Sequence, residues 1–125
     1  MNKTKFFAVA LASALALTSG AAMAAGDATK GKKVFKKCKA CHSIKEGKKK
    51  VGPSMFGVVG RKAGTVGGYK FSSAMKGSGL TWDTATLDKF LIKPKKFLKG
   101  TKMSFGGLKK EKQRADVIAY MKTLK

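Results

Sequence analysis

Near the end of the chain, apolar residues recur at three- and four-residue intervals: Val117, Ile118, Met121 and Leu124 form one stripe, with Tyr120 beside them. That spacing predicts a helix from about Lys110 to Leu124, with Met121 on its core face. Leu87, Phe90 and Leu91 repeat the pattern and predict a helix that begins near Asp83 and stops at Pro94. A first helix is predicted over about Thr29 to Cys41, with Asp27 or Thr29 as its N-cap. Ser72 to Lys76 is compatible with one further short helix, and no stretch alternates long enough to read as a strand. Between Glu46 and Gly68 glycines recur and the periodicity is lost. A loop of that length argues against a compact domain unless it packs on something other than protein. The run Lys48 to Lys50 reads as a solvated turn.

The start of the chain has a different pattern. Lys3 and Lys5 precede an apolar stretch from Phe6 to Leu17, followed by small residues around Ala22-Met23-Ala24. These are the three parts of a secretory leader. The apolar stretch is shorter than the roughly 20 residues that cross a bilayer. Residues 1–24 are therefore expected to be removed, with cleavage after Ala24 or one position on, leaving one domain over 25–125 in the periplasm. Removing 24 of 125 residues leaves 101, and removing two lysines lowers the formal charge from +22 to +20. So small a domain needs an additional staple for its core. Such an excess of cations opposes compaction and selects acidic partners.

Both cysteines and the single histidine lie in one motif, CKACH, at Cys38, Cys41 and His42. A disulfide, a thioredoxin-like redox pair and a structural zinc site each use part of it. The redox pair needs a preceding strand, and zinc needs a fourth ligand. Covalent haem attachment uses all three residues. Thiols three apart project from one face of a helical turn, and the next residue carries its imidazole under the ring. Iron held by His42 then has a sixth position. With no second histidine or third cysteine, a methionine thioether is the strong candidate and lysine the weaker one. Met121 belongs to the core stripe, and Met55 and Met75 lie in glycine-broken loops. Met103, in the polar loop KGTKMSFGG, is favoured over Met55.

Taken in order, CKACH, GPSMFGVVGRKAG, GLTWDTATLDKFLIKPKKF, GTKMSF and RADVIAYMKTL closely resemble a class I cytochrome c of the bacterial cytochrome c2 type. The resemblance spans nearly all of residues 25–125. It implies an all-α fold in which the N- and C-terminal helices cross and long loops wrap one haem c. It also implies His42 and Met103 as axial ligands, with the Pro53 carbonyl accepting the other ring N–H of His42. Arg61 and Trp82 resemble residues that bond or neutralise a haem propionate. Thr101 resembles one that hydrogen-bonds on the methionine side. Gly31 matches the small residue where the terminal helices meet, beside Phe35 and Tyr120. Three positions depart from the family pattern: Phe71 stands for a tyrosine, Met75 for an asparagine and Lys99 for a proline.

With both axial positions filled, no substrate reaches iron, so a one-electron carrier is expected rather than an enzyme. Lys37, Lys39, Lys95, Lys96, Lys102, Lys109 and Lys110 flank the two haem-contacting motifs and are expected to steer acidic surfaces of redox proteins. A reaction centre, a quinol-oxidising complex, an oxidase and a periplasmic reductase are the candidate partners. A monomer is expected, with no nucleic-acid partner and at most peripheral membrane contact.

Overall fold

A computed structural model describes residues 25–125; the leader expected over 1–24 lies outside the described residues. The first helix, α1 (Ala28–Val34), is capped by Asp27 rather than Thr29. The Asp27 carboxylate accepts the N–H groups of Thr29 at 2.9 Å and Lys30 at 3.1 Å. The helix does not run on to Cys41. It tightens into a 3-10 turn over Phe35–Lys37, where the Phe35 carbonyl accepts the N–H of Cys38 at 2.8 Å and of Lys39 at 3.2 Å. Three-residue winding of this kind is common where a helix ends.

Three further short elements follow. α2 (Ser73–Lys76) is capped by Ser72, so Met75 lies on a helical turn and not in an open loop. α3 (Thr84–Ile92) starts at the Asp83 cap, whose carboxylate accepts Thr86 N–H at 2.7 Å, and buries Leu87, Phe90 and Leu91. Pro94 ends α3 and also opens α4 (Pro94–Phe97), which the apolar periodicity does not reveal. Proline suits the first helical position because its missing N–H would be unpaired there in any case. The last helix, α5 (Glu111–Met121), buries Val117, Ile118, Tyr120 and Met121. No strand occurs among the described residues, only an antiparallel bridge between Lys62 and Thr81.

α1 crosses α5 at very short range. A Cβ at Gly31 would collide with the Asp116 carbonyl and come within 2.9 Å of Tyr120 Cβ. Glycine is required because the two backbones touch. Beside the crossing, Phe35 and Tyr120 pack with centroids 5.2 Å apart. The Asp116 carboxylate, almost fully buried, accepts the Asp27 N–H at 2.8 Å and the Lys112 ammonium at 2.6 Å.

The Asp27 N–H, followed by Lys112, holds the Asp116 carboxyl below the usual carboxylate range. A carboxyl lowered in the fold contributes stability that is fully present above its unfolded value and is lost as pH falls through the lowered one. Asp116→Asn is therefore expected to melt below the parent haem protein at neutral pH, with the gap closing as the solution is acidified. Thermal unfolding at a series of pH values checks this; a gap independent of pH would deny the carboxylate its role.

A second ion pair fixes the approach to α5. The Arg114 Nε lies 2.7 Å from the Asp88 carboxylate on α3. One terminal nitrogen of Arg114 also donates to the Leu108 carbonyl at 3.0 Å and the Lys109 carbonyl at 2.9 Å. Gly107, at φ +103°, lets the chain pass against the Ile92 carbonyl, and Leu108 N–H reaches the Leu91 carbonyl at 2.7 Å. The segment carrying Met103 is thus anchored at its C-terminal end to α3 and α5.

Candidate haem site

The loops and helices enclose a cavity of about 310 Å³. The attachment turn forms one part of its wall. Cys41 and His42 donate their N–H groups to the Cys38 carbonyl at 3.1 and 2.9 Å, so a hydrogen-bonded turn brings both thiols and the imidazole to the cavity. The thiols are not joined to each other; Cys38 is half-buried and Cys41 exposed. Burial, with the Cys41 thiol adding to it, pushes Cys38 up to about 11, against a smaller opposing effect of Lys37. A redox-active pair needs the opposite shift, toward a ready thiolate.

His42 is held from behind. Its Nδ1 lies 2.7 Å from the Pro53 carbonyl, and a carbonyl can only accept, so Nδ1 carries the proton and the Nε2 lone pair is free. Burial lowers the imidazole below its ordinary value, and the positive charge of Lys50 lowers it further, against the opposing Pro53 bond. The ring is therefore neutral, as a ligand must be. A Cβ at Gly52 would strike the imidazole, so the loop backbone packs directly on it, with Gly52 N–H bonded to the Cys41 carbonyl at 2.7 Å.

Met55, Met75 and Met103 all line the same cavity, and so does the core residue Met121. Shared burial does not choose among the thioethers. Thr101 is buried at the wall two residues before Met103, with its hydroxyl 3.4 Å from the Met103 N–H. Trp82 also lines the wall and packs tilted against Phe90, with ring centroids 4.8 Å apart. Arg61 reaches the cavity too, but its guanidinium donates to the carbonyls of Phe56 at 2.9 Å and Ser54 at 3.1 Å. Burial lowers it from its ordinary value without discharging it. All eight residues expected at the site, Pro53 included, line this one cavity.

Several cross-loop bonds at the site carry no signal in the sequence pattern. Tyr69 lines the wall, stands edge-on to Phe71 at 4.8 Å and donates its hydroxyl to the Val51 carbonyl at 3.1 Å. Lys50 does not simply point to water, since its ammonium donates to the Lys39 carbonyl at 2.5 Å within the attachment motif. Lys102 donates to the Lys70 carbonyl at 3.0 Å. Loop residues of this sort have no periodicity, so only their cross-loop partners reveal them.

A broad, mostly apolar cavity holding two thiols, one neutral imidazole and several thioethers, with a cation and an indole at its wall, fits a flat apolar macrocycle carrying iron and acidic side groups. Similarity to known proteins agrees with this geometry. The family model for cytochrome c matches residues 28–125. The chain belongs to the cytochrome c family. It is 52% identical to cytochrome c2 of Rhodomicrobium vannielii over 120 residues, covering 95% of this chain and 96% of that one. Cytochrome c2 iso-2 of Magnetospirillum fulvum is 57% identical over 90 residues, 72% of this chain and 94% of that one. Among solved structures, cytochrome cH from Methylobacterium extorquens superposes with a TM-score of 0.75 at 54% identity, covering 78% of this chain and 99% of that one. The cytochrome is thus of the class I, cytochrome c2 type, with the small all-α fold of that class. It is an electron carrier with covalent haem c, for which Cys38 and Cys41 form the attachment motif.

Proposed function

We propose that this cytochrome is an exported, periplasmic one-electron carrier whose haem iron is ligated by His42 and Met103. The observation that carries this reading is the convergence of both thiols, the Pro53-held imidazole and Met103 on one cavity. Met103 is favoured over Met55 and Met75 because its segment is the polar GTKM loop, anchored at one end by Arg114 and at the other by buried Thr101. Bound haem supplies the one-electron Fe(II)/Fe(III) couple.

The protein's residues do the rest. Cys38 and Cys41 fix the macrocycle by thioethers, and Pro53 holds the His42 tautomer and ring plane. Arg61 supplies a fixed positive charge for a propionate, and the Trp82 indole offers a donor. Phe35, Phe90 and Leu91 exclude water from the inner wall. Removal of residues 1–24 and an independent domain over 25–125 belong to the same proposal. The match to the Rhodomicrobium relative covers 120 residues, more than the 101 from Ala25 onward, so it extends into residues 1–24.

A reversible one-electron titration of the haem-loaded protein tests the reading. One wave and no uptake of carbon monoxide by the reduced form are expected; ready uptake would point to an open sixth position and to ligand or peroxide chemistry.

Docking is the second part of the proposal. Lys37, Lys39, Lys95, Lys96, Lys102, Lys109 and Lys110 are all exposed around the cavity-forming segments. Four of the six acids are engaged internally: Asp27 and Asp83 as caps, Asp88 with Arg114, and Asp116 with Lys112. Little negative charge remains to offset the lysines. A monomer meeting the acidic face of a reaction centre, quinol-oxidising complex, oxidase or reductase fits this surface. Association is expected to be fast at low salt and to slow steeply as the Debye length falls below about 10 Å. Lys96→Glu should slow it more than Lys125→Glu, with little change in potential, because solvent screens exposed charge. Stopped-flow rates across a salt series check this; equal sensitivity of the two variants would reduce the lysines to a solvated surface.

A further inference from the structure

Three hydrogen bonds join loops that are distant in sequence, and they form one series. The Lys50 ammonium donates to the Lys39 carbonyl, the Tyr69 hydroxyl to the Val51 carbonyl, and the Lys102 ammonium to the Lys70 carbonyl, at 2.5, 3.1 and 3.0 Å. The acceptor of each later link is a sequence neighbour of the donor or acceptor before it: Val51 follows Lys50, and Lys70 follows Tyr69. The series therefore starts between the two attachment cysteines and ends at Lys102, next to Met103. Val51, Tyr69 and Lys102 all line the cavity.

We propose that Tyr69 is a positioning residue, the central link of a strap that ties the methionine loop to the attachment turn and keeps Met103 seated. The inference rests on the reading of Met103 as the sixth ligand. Arg114 anchors the methionine loop only beyond Met103, at Leu108 and Lys109. On the near side, Lys102 is tied to the 66–71 loop, and Tyr69 ties that loop onward. The edge-on contact with Phe71 keeps the Tyr69 ring in place, so the hydroxyl supplies the cross-loop tie. Phe71 has no hydroxyl to do this. Exposed hydrogen bonds compete with water and add little to global stability. Gly52 N–H already ties the Val51 segment to the Cys41 carbonyl at 2.7 Å, so the links that act in series are Tyr69 to Val51 and Lys102 to Lys70, and breaking either one releases the near side of the methionine loop as fully as breaking both.

The test uses haem-loaded Tyr69→Phe, Lys102→Leu and the double variant. Thr65→Val is the control, because it removes a 2.6 Å hydroxyl bond, to the Lys62 carbonyl, that ties no separate loops together. Ferric imidazole affinity and the amide hydrogen exchange of residues 101–105 are measured in each. Each single variant should raise both by roughly three- to tenfold, the effect of one lost hydrogen bond. The double variant should match the stronger single one, Thr65→Val should match the parent, and the thermal midpoints should hardly move. Multiplicative effects in the double variant would show independent local bonds, and a Tyr69→Phe variant within twofold of the parent would remove the strap altogether. If Met103→Ala itself fails to raise imidazole affinity, the ligand assignment is wrong, and the exchange rates alone then decide the strap.

Discussion

Replacing Met103 by alanine should open the iron to added ligands and lower the reduction potential. A thioether on iron competes with any incoming ligand, so the apparent affinity for imidazole is the intrinsic affinity reduced by the fraction of molecules with that position open. If seating of Met103 is favoured by about 3 kcal/mol, its removal raises imidazole affinity on the order of 100-fold. Ferrous iron prefers the soft thioether, so losing it stabilises the ferric form and moves the potential down within the roughly 0.8 V that axial ligation spans. Met55→Leu removes another cavity thioether and should do neither. Imidazole titration and potentiometry of the two variants decide the matter. An exchange of the two outcomes would make Met55 the ligand.

Preventing haem attachment should leave the chain largely unfolded. The helices described are four to eleven residues long, and isolated helices shorter than about 12–15 residues are marginal in water. Their stability must come from packing, yet the cavity lies between the turns that follow α1, α3, the end of α5 and the loops. Phe35, Trp82, Leu87, Phe90 and Leu91 belong to the core and also line that cavity, so haem completes the core and is not a guest upon it. Binding free energy then becomes folding free energy. A Cys38→Ala, Cys41→Ala double variant is expected to lose most far-UV helical signal and to show no cooperative melt. Each single variant should retain at most one thioether and yield much less haem protein, with haem that is easier to extract. A cooperative, well-dispersed double variant would show that the polypeptide folds without the macrocycle.

The two long periodic helices are legible because helix faces leave their period in the sequence. Leu87, Phe90 and Leu91 on α3 and Val117, Ile118 and Met121 on α5 are buried where the spacing puts them. Two helix starts are legible for a related reason, since Asp27 and Asp83 each bond a backbone N–H two or three residues ahead; Ser72 caps α2 in the same way. The end of α1 is less so. The pattern carries it to Cys41, whereas hydrogen bonds to the Phe35 carbonyl tighten it seven residues earlier, after Val34. α4 is too short to show any period, whereas α2 falls within the short helix that Ser72 to Lys76 allows, and Met75, placed in a glycine-broken loop by its neighbours, lies on it.

The sequence by itself determined the chemistry: CKACH requires three residues at fixed short spacing, and local spacing survives any arrangement of the rest. It also determined the excess of positive charge, which depends on composition alone. Only the tertiary structure decided which distant groups meet. The family resemblance already implied that the Pro53 carbonyl meets His42, but the structure alone brought Arg114 to Asp88 across 26 residues and Lys102 to the Lys70 carbonyl across 32. It turned Lys50, read as part of a solvated turn, into a cross-loop tie, and made two more of Tyr69 and Lys102. The physical reason is that a hydrogen bond between loops depends on how the whole chain closes around the cavity. Closure of that kind has no period and no local spacing from which it could be read.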